Sequence, residues 1–366
     1  MPKLNNKTLV FSREDIHEIV KHVGLNQIMD ELIHRLEIAI KSFDPSTIHI
    51  PIRSGFNYTK PDSGLVEWMP LYNELKGDVV IKLVGYHPNN PDKHQIPSVI
   101  STISSYDTTT GQLKGIMDGV LLTAFRTGAA SAVCSKYLAK PESKVLGLIG
   151  CGAQAVTQLH ALSRIFNIEK VLIRDVDTEA MISFGSRCEV LNLDLEIETT
   201  SLEELVGESD IICTATSIEP GAGPLFSHLK TKASVHINAV GADFPNKVEL
   251  PLDLLRNSFV CPDFLEQAKI EGECQKLEDH EIDTDLAHLI QNEMNYADLQ
   301  NQMSVFDSTG WVVEDNVVMD LFMEYGKKLN LGQYIEIESL TGDAKSPYDF
   351  INESVVACES NEKQIR

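Results

Sequence analysis

Hydrophobic positions in the middle of the chain follow two alternating periods. Short apolar runs, which favour buried strands, are separated by stretches with apolar residues three or four positions apart, which favour amphipathic helices. The predicted elements are, in chain order, the strand Val145–Ile149, the helix Gln154–Phe166, the strand Lys170–Ile173, a helix near Thr178–Leu191, and the strands Glu196–Thr199, Asp210–Thr214 and Ser234–Val240. This alternation is typical of an α/β fold with a doubly wound parallel sheet.

The chain on either side of this region has a different pattern. Helical periods combined with alternating apolar and polar positions predict a separate α+β domain there. Its predicted elements are a helix at Arg13–Phe43 that breaks at Gly24, strands at Val79–Tyr86 and Ser98–Tyr106, a connecting helix at Lys114–Lys140 and a late helix at Val312–Leu329. We expect the late helix to return to this domain, and residues 353–366 to form a polar tail.

Length and composition agree with a globular enzyme of two domains. The chain has 366 residues, of which 43% are hydrophobic and 23% are charged. No apolar run approaches the roughly 20 residues that span a bilayer, and the N-terminus lacks a signal peptide's apolar core, so we expect a cytoplasmic protein without a membrane partner. The net charge of −23 argues against nucleic acid as a partner. The seven cysteines have neither zinc-site spacing nor a disulfide framework, so no metal is predicted.

A glycine turn carries the most specific chemical signal. Residues 144–155, Lys-Val-Leu-Gly-Leu-Ile-Gly-Cys-Gly-Ala-Gln-Ala, run from an apolar strand through a turn into a helix. Gly150 permits the tight turn, and Gly152 lets backbone N–H groups approach a phosphate. The pyrophosphate of a dinucleotide is therefore predicted at the helix N-terminus, beside Ala153 and Gln154.

The surroundings of this turn favour NAD as the cofactor. Asp175 ends the second strand, 25 residues beyond Gly150, where a carboxylate accepts both ribose hydroxyls and repels a 2′-phosphate. The neighbouring Arg174 is a cation that argues the other way. The carboxyl ends of two further strands open onto the same crevice, and they predict further cofactor contacts at Thr214, Asn238 and Val240.

Charged residues in apolar or turn-rich surroundings are candidates for a substrate site. They are Arg53, Glu67, Lys82 and Arg126. A charge is costly to bury unless it is paired, and for Lys82 and Glu67 the strand alternation fits solvent exposure as well as it fits a site. Three cations and one anion would suit an amino acid, because cations bind its carboxylate and an anion binds an ammonium group.

Asp243 is the candidate acid/base. The stretch Asn238-Ala-Val-Gly-Ala-Asp243 places this carboxylate just beyond the carboxyl end of a central strand. The alternative is a turn or helix-capping aspartate ahead of Pro245. Lys247, four residues further on, would either lower the pKa of Asp243 or hold a cofactor group.

Several stretches together resemble the ornithine cyclodeaminase/μ-crystallin family, from about residue 10 to residue 345. They are Val66-Glu-Trp-Met-Pro70, Lys82-Leu-Val-Gly-Tyr-His-Pro-Asn-Asn-Pro91, Asp118-Gly-Val-Leu-Leu-Thr-Ala-Phe-Arg-Thr-Gly-Ala-Ala-Ser131, Gly150-Cys-Gly-Ala-Gln-Ala155, Asn238-Ala-Val-Gly-Ala-Asp243, Glu271-Gly-Glu273 and Val305-Phe-Asp-Ser-Thr-Gly310. The resemblance implies a homodimer. It also implies that residues 1–128 and 312–350 form a substrate-binding and dimerisation domain, into which a Rossmann-type NAD-binding domain of residues 129–311 is inserted.

The resemblance also implies roles for the candidate residues. Arg53, Lys82 and Arg126 would bind the α-carboxylate, Glu67 would hold the distal ammonium of a diamino acid, and Asp243 would be the acid/base. The implied reaction is a closed redox cycle, in which Cα gives a hydride to NAD⁺, the side-chain amine attacks the resulting iminium, ammonia leaves, and the hydride returns to the cyclic imine. The products are proline from ornithine or pipecolate from lysine.

The choice of substrate stays open at the level of sequence. Lysine and ornithine differ by one methylene, which is worth only about 1–3 kcal/mol in a pocket. The stretches around Trp68 and Gln154 are more similar to lysine cyclodeaminases, although ornithine enzymes share much of them. The alternatives are a cyclic ketimine reductase or opine-type dehydrogenase that consumes NAD(P)H, and a non-catalytic binding protein, which the presence of Asp243 and Lys82 argues against.

Overall fold

The computed structural model describes residues 7–227, 230–296, 298–340, 343–348 and 351, which form two β-sheets with helices between and around them. The predicted polar tail, 353–366, lies outside these residues. Within the part of the chain that the structure describes, no helix is both long enough and apolar enough to span a bilayer.

The first sheet is mostly antiparallel. Its order is β15-β1-β7-β6-β5-β4-β2, with β3 paired to β4. The strands are β1 (Thr8–Phe11), β2 (Ile48–His49), β3 (Ser54–Tyr58), β4 (Gly64–Asn73), β5 (Asp78–Tyr86), β6 (Val99–Asp107), β7 (Leu113–Asp118) and β15 (Gln333–Ile335). Side chains alternate between the faces, so that Met69, Val80 and Ile103 point into the core while their neighbours point outward.

The second sheet is parallel throughout, which confirms the predicted α/β architecture. Its order is β10-β9-β8-β11-β12-β14-β13. The strands are β8 (Val145–Ile149), β9 (Lys170–Arg174), β10 (Glu196–Thr199), β11 (Ile211–Thr214), β12 (His236–Ala239), β13 (Phe259–Pro262) and β14 (Ser304–Asp307). The strand order reverses between β8 and β11, and the carboxyl ends of these strands form the crevice where such sheets bind ligands.

Helices cover both sheets and form a layer between them. They are α1 (Arg13–Val23), α2 (Leu25–Lys41), α3 (Asn90–His94), α4 (Val120–Leu138), α5 (Ala153–Ile165), α6 (Thr178–Cys188), α7 (Leu202–Glu208), α8 (Leu252–Arg256), α9 (Leu265–Ala268), α10 (Leu286–Gln291) and α11 (Val312–Leu329). Short 3-10 turns lie at Glu189–Leu191, Glu273–Lys276, Asp279–Glu281, Glu293–Tyr296 and Leu299–Asn301. The predicted break at Gly24 is confirmed, because this glycine, with φ of +92°, separates α1 from α2.

The prediction of one connecting helix over Lys114–Lys140 is wrong in its first part. Residues Leu113–Asp118 form strand β7 between β1 and β6, and helix α4 begins at Val120. The small residues of this segment hid a two-residue period, in which Gly115 and Met117 are buried. Helix α4 continues through residue 128, where the predicted domain boundary lies, and the division into two domains stays a prediction.

Helix α4 lies at the centre of the molecule. It contacts α2 and α11 on one side, and α5, β12 and β14 on the other. At Gly128 a Cβ atom would lie 2.5 Å from the carbonyl oxygen of Thr157, so α4 and α5 pack at a separation that only glycine allows. The late helix α11 packs against α1, α2, β4 and β5, as expected from its return to the first part of the chain.

Candidate active site

A buried cluster of charges joins the first sheet to the helix layer. Lys82 lies on the inner face of β5 with 1% of its surface exposed, and its Nζ is 3.0 Å from Oδ1 of Asp315. Arg126 of α4 places Nε 3.2 Å from the same oxygen and donates through Nη1 to Glu314 at 2.7 Å. Lys82 is therefore buried and paired, which decides between the two readings of its position in the strand.

The two acids of this cluster come from the first turn of α11. Glu314 and Asp315 are wholly buried. Burial and the neighbouring Arg126 lower the pKa of Lys82 to about 8, and Asp315 opposes this change. Burial raises the pKa of Glu314 to about 8, and Arg126 opposes it. The two cations come from β5 and α4, whereas both acids come from α11. Each cation is therefore stabilised by an acid from a different element.

Arg53 lies beside this cluster and faces two further acids. Its Nη2 donates to the carbonyl oxygens of Thr309 and Gly310 at 2.7 and 2.9 Å. Its Nη1 is 3.0 Å from Oε1 of Glu271 and 4.0 Å from Oε2 of Glu67. The side chains of Arg53 and Glu67 are 9% and 15% exposed, so both border the interior without being sealed in it.

The acids on this side of the site influence one another. Burial raises the pKa of Glu67, and Asp243 raises it further while Arg53 opposes both. Burial raises the pKa of Glu271 to about 8, again with contributions from Glu67 and Asp243. The structure therefore brings Asp243, which lies beyond the carboxyl end of β12 in the second sheet, close enough to Glu67 on the first sheet for their charges to interact.

Asp243 is held by Lys247. Oδ1 of Asp243 is 2.8 Å from Nζ of Lys247, which is 3% exposed and lies 5.4 Å from the ring centre of Tyr86. This ion pair differs from the turn or helix-capping role considered as the alternative for Asp243. About a third of the Asp243 side chain, 35%, remains exposed, so it is accessible from the crevice.

A buried carboxylate ties together the ends of two central strands. Glu249 accepts hydrogen bonds from Oγ1 of Thr214 at 2.6 Å, from N of Gly241 at 3.0 Å, and from N and Oγ1 of Thr216 at 2.8 and 2.6 Å. Thr214 is the last residue of β11, and Thr216 and Gly241 each lie two residues beyond the ends of β11 and β12. The hydroxyl of Thr214, a predicted cofactor contact, is therefore engaged by Glu249.

The other two predicted contacts at these strand ends are also packed inside the protein. The amide of Asn238 is wholly buried, where its Nδ2 donates to Oγ of Ser135 at 3.0 Å and its Oδ1 lies 3.3 Å from Nε2 of His236. The N–H of Val240 donates to the carbonyl oxygen of Thr214 at 2.9 Å. A role for Thr214, Asn238 and Val240 in cofactor binding stays a prediction.

The glycine turn has the geometry of a phosphate cradle. Gly150 has a φ of +97°, and a Cβ there would lie 2.5 Å from the carbonyl oxygen of Ala215, so this position requires glycine. At Gly152 an added Cβ would meet none of the described atoms within 4 Å. This open space lies at the start of α5, where Gly152 is the N-cap residue and has no side chain that could bond to the first N–H groups. The first N–H groups of the helix are thus available to an anion.

Asp175 lies against the same turn. Its carboxylate accepts the N–H groups of Cys151 at 2.5 Å and Asp177 at 2.9 Å. Arg187, which the sequence did not single out, donates to the carbonyl oxygens of Cys151 and Ala180 at 2.6 and 2.7 Å. The turn, the helix end and the acid after the second strand together fit the pyrophosphate and ribose of a dinucleotide.

The sequence profile of the ornithine cyclodeaminase/mu-crystallin family matches residues 13–328. The chain belongs to this family. The match contains the whole second sheet, the first sheet except β1 and β15, and every residue placed in the candidate site above. The fold class is accordingly α/β with a Rossmann-type parallel sheet, as predicted.

Similar proteins include cyclodeaminases and a dehydrogenase. The L-lysine cyclodeaminase of Streptomyces rapamycinicus is 37% identical over 343 residues, which cover 93% of this chain and 99% of that protein. A lysine cyclodeaminase solved to explain its recognition of L-lysine, L-ornithine and L-2,4-diaminobutyric acid is 43% identical, with a TM-score of 0.90 and coverage of 94% and 99%. An archaeal alanine dehydrogenase dimer with bound NAD is 30% identical, with a TM-score of 0.80 and coverage of 91% and 100%.

Some residues of this family member's site were missed by the sequence analysis. They are Glu249, Glu314 and Asp315, together with Tyr86 and Glu271, which were noted only as parts of motifs. Glu314 and Asp315 lie between two apolar stretches, Trp311-Val-Val313 and Val317-Val-Met319. A charge in apolar surroundings is the same signal that identified Arg126. Glu249 gave no such signal, since its partners are visible only in the folded chain.

Proposed function

We propose that the protein is an NAD-dependent cyclodeaminase of a basic L-amino acid, which converts lysine to pipecolate or ornithine to proline and releases ammonia. The observation that carries this proposal is the polarity of the site. Lys82 and Arg126, which are paired with Asp315 and Glu314, supply the cations at one buried end, while Glu67 and Asp243 supply carboxylates on the other side of Arg53. A diamino acid has a carboxylate for the first end and a distal ammonium for the second.

The acidic end distinguishes a diamino acid from a simple amino acid. Burial and the like charge of Asp243 raise the pKa of Glu67, and burial together with Glu67 and Asp243 raises the pKa of Glu271, while Arg53 opposes both changes. A ligand with a second ammonium group relieves this repulsion, whereas alanine has no group to place there. The second candidate function is a net oxidation or reduction, because the chain is also similar to an alanine dehydrogenase. Glu67 argues against this candidate, since alanine has no group for it to bind.

The residues of the chain have the following roles in the reaction. Lys82, Arg126 and Arg53 bind the α-carboxylate and thereby fix Cα. Asp243, held by Lys247, accepts a proton from the α-ammonium. Glu67 holds the distal ammonium and accepts its proton, which makes the amine a nucleophile; the burial that raises the pKa of Glu67 suits it to this exchange.

NAD binds along the crevice at the carboxyl ends of the parallel strands. The N–H groups at Ala153 and Gln154 would hold its pyrophosphate, Asp175 would hold a ribose, and Asp243 and Lys247 would border the same crevice. NAD would supply the hydride acceptor for Cα and, once reduced, the hydride donor for the cyclic imine, with no net consumption.

The deciding experiment measures products against cofactor. Purified protein is incubated with a catalytic amount of NAD⁺ and either L-ornithine or L-lysine, and ammonia, cyclic amino acid and NADH are followed. We expect ammonia and proline or pipecolate in large excess over the NAD⁺ supplied, with Asp243→Asn as the inactive control. Stoichiometric NADH, or a lack of product from both diamines, would contradict the proposal and favour an ordinary dehydrogenase or reductase.

We also propose a homodimer formed through the outer face of the first sheet. Phe56, Leu83 and Ile100 are exposed there, and Phe56 packs edge-on against Trp68 with ring centres 5.8 Å apart. Trp68 and Leu83 are direct partners in neighbouring strands, so these side chains form one apolar surface. The structural similarity to a dimeric dehydrogenase supports a second copy of the chain as its cover.

Light scattering tests the assembly. We expect the mass of a dimer for the wild-type protein and of a monomer for the double variant Phe56→Asp, Leu83→Asp, because buried carboxylates would be unpaired at the interface. A wild-type protein that is monomeric at micromolar concentration would contradict this proposal. The cytoplasmic location stays a prediction.

A further inference from the structure

Asp315 occupies a position that the reaction scheme above does not use. It lies in the first turn of α11, is wholly buried, and places the same oxygen, Oδ1, 3.0 Å from Nζ of Lys82 and 3.2 Å from Nε of Arg126. Lys82 comes from β5 and Arg126 from α4. One carboxylate oxygen thus joins two cations from separate elements.

The two cations require this acid because they are close, buried and of like charge. Lys82 and Arg126 are 1% and 5% exposed, and Arg126 disfavours the charged form of Lys82. Arg126 has a second acid, Glu314, at its Nη1. Within the described residues, Asp315 is the acid that forms an ion pair with Lys82. Without Asp315, the ammonium of Lys82 would face Arg126 and Arg53 without a counter-ion.

We propose that Asp315 is a positioning residue for recognition of the substrate's α-carboxylate. It keeps Lys82 charged and fixes the ammonium of Lys82 and the guanidinium of Arg126 in one orientation, so that both bind the same carboxylate. This inference rests on the proposed function. Helix α11 would then determine, through Asp315, whether the site accepts a carboxylate.

The chain supplies a matched control on the same helix. Asp320 pairs with Lys76 at 2.5 Å, but both side chains are more than 40% exposed, at 43% and 47%. An exposed pair of this kind contributes little to stability. Asp320→Asn therefore reports the effect of removing an aspartate from α11 without touching the carboxylate-binding cations.

The experiment compares a ligand that has the carboxylate with one in which it is an uncharged amide. Calorimetry of the protein saturated with NAD⁺ gives the affinities for L-pipecolate and L-proline, and for L-pipecolamide and L-prolinamide. The preference for acid over amide is the quantity of interest. In Asp315→Asn we expect it to fall by about tenfold or more, as when other side chains that orient ligand-binding groups are removed. In Asp320→Asn we expect no change.

A pH series separates positioning from general damage to the fold. Asp315 raises the pKa of Lys82, which is about 8 in the wild type. Its removal should therefore lower this pKa further. Lys82 is faced by Arg126, Arg53 and Asp315, with Glu314 beside Arg126. The acid affinity of Asp315→Asn should therefore recover in part as the pH is lowered from about 8 to about 6, while that of the wild type changes less.

Each outcome has a definite meaning. If acid and amide lose affinity equally in Asp315→Asn, or if neither does, the inference is overturned while the proposed function stands. A wild-type protein that binds neither cyclic amino acid would overturn both. Should Asp315→Asn fail to fold, Asp315→Glu keeps the charge but moves the carboxylate, and the same selective loss of acid binding is expected; an unchanged preference in that variant would overturn the inference.

Discussion

The cofactor crevice and the substrate site are built in opposite ways. The crevice uses backbone and empty space: a turn that requires glycine at Gly150, open space beside Gly152, and the free N–H groups of one helix. The substrate site uses buried side-chain charges from distant parts of the chain, such as Lys82 and Asp315, which are joined in an ion pair across 233 positions of sequence. A phosphate cradle is thus a local property of the chain, whereas a buried charge site exists only once the whole chain has folded.

The largest effect is expected where the two regions meet. Asp243→Asn removes the base while leaving an amide of the same size, so turnover should fall by about 10²- to 10⁴-fold. NAD affinity should stay nearly unchanged, because the phosphate cradle lies on another strand end. Assays of ammonia release measure the turnover, and calorimetric titration with NAD⁺ measures the affinity. Full activity in this variant would remove Asp243 from its role.

The local nature of the crevice explains how far the sequence was informative. The predicted helix Gln154–Phe166 differs from α5 by one residue at each end, and Val312–Leu329 has the predicted bounds. Both depend on apolar periodicity within one segment. Strand β7 was missed because it is short and has Gly115 at one of its buried positions, which weakens the two-residue period, and because its pairing with β1 and β6 is visible only in the folded chain.

The candidate site was predictable in chemical type but not in its pairing. Arg53, Lys82 and Arg126 stand out as charges in apolar or turn-rich segments, which a sequence shows. Their counter-ions Glu271, Glu314 and Asp315 could not be assigned, because a partner hundreds of positions away leaves no local trace. The sequence therefore left exposure and function equally open for Lys82, and only tertiary structure decides between them.

Two glycines of the same turn provide the next test. Gly150→Ala should destabilise the protein by more than about 2 kcal/mol, since its Cβ would clash with the backbone at 2.5 Å and its φ is positive. Gly152→Ala should leave the free energy of unfolding within about 0.5 kcal/mol of wild type but weaken NAD binding. Urea denaturation and NAD titration separate the two effects. Equal destabilisation by both variants would contradict the assignment of the space beside Gly152 to the cofactor.

A smaller effect is expected at the ribose. Asp175→Ala removes the acceptor for the ribose hydroxyls, and we expect roughly tenfold weaker NAD binding and a reduced preference for NAD over NADP. Glu179→Ala, on the exposed first turn of α6, is a suitable control. If the NAD to NADP ratio of affinities is unchanged in Asp175→Ala, the ribose assignment is wrong.

The last effect concerns the pH dependence of stability on the substrate side. Burial raises the pKa of Glu271 to about 8, so the folded state holds its proton at pH values where the unfolded state releases it. Stability contributed by this protonated form is present below the ordinary pKa of about 4.5 and is lost as the pH rises through about 8. The difference in unfolding free energy between wild type and Glu271→Gln should therefore fall with rising pH, by at most about 1.4 kcal/mol per pH unit.

Denaturation of the substrate-free proteins at several pH values between about 5 and 8 measures this difference. A difference that is independent of pH would mean that Glu271 is ionised throughout, and the acidic end would then carry more negative charge than the structure indicates. No comparable slope is expected for Gly152→Ala, because the cofactor cradle contains no titrating group at that position.

The position of α11 in the chain has a consequence for biosynthesis. The glycine turn and Asp175 leave the ribosome long before Glu314 and Asp315 do, because the acids belong to the last long helix that the structure describes. A nascent chain, or one shortened by premature termination before residue 312, can contain the entire phosphate cradle and yet lack the counter-ions of Lys82 and Arg126. Recognition of the substrate carboxylate therefore requires translation to continue beyond Asp315, whereas the residues of the phosphate cradle are all present in a much shorter nascent chain.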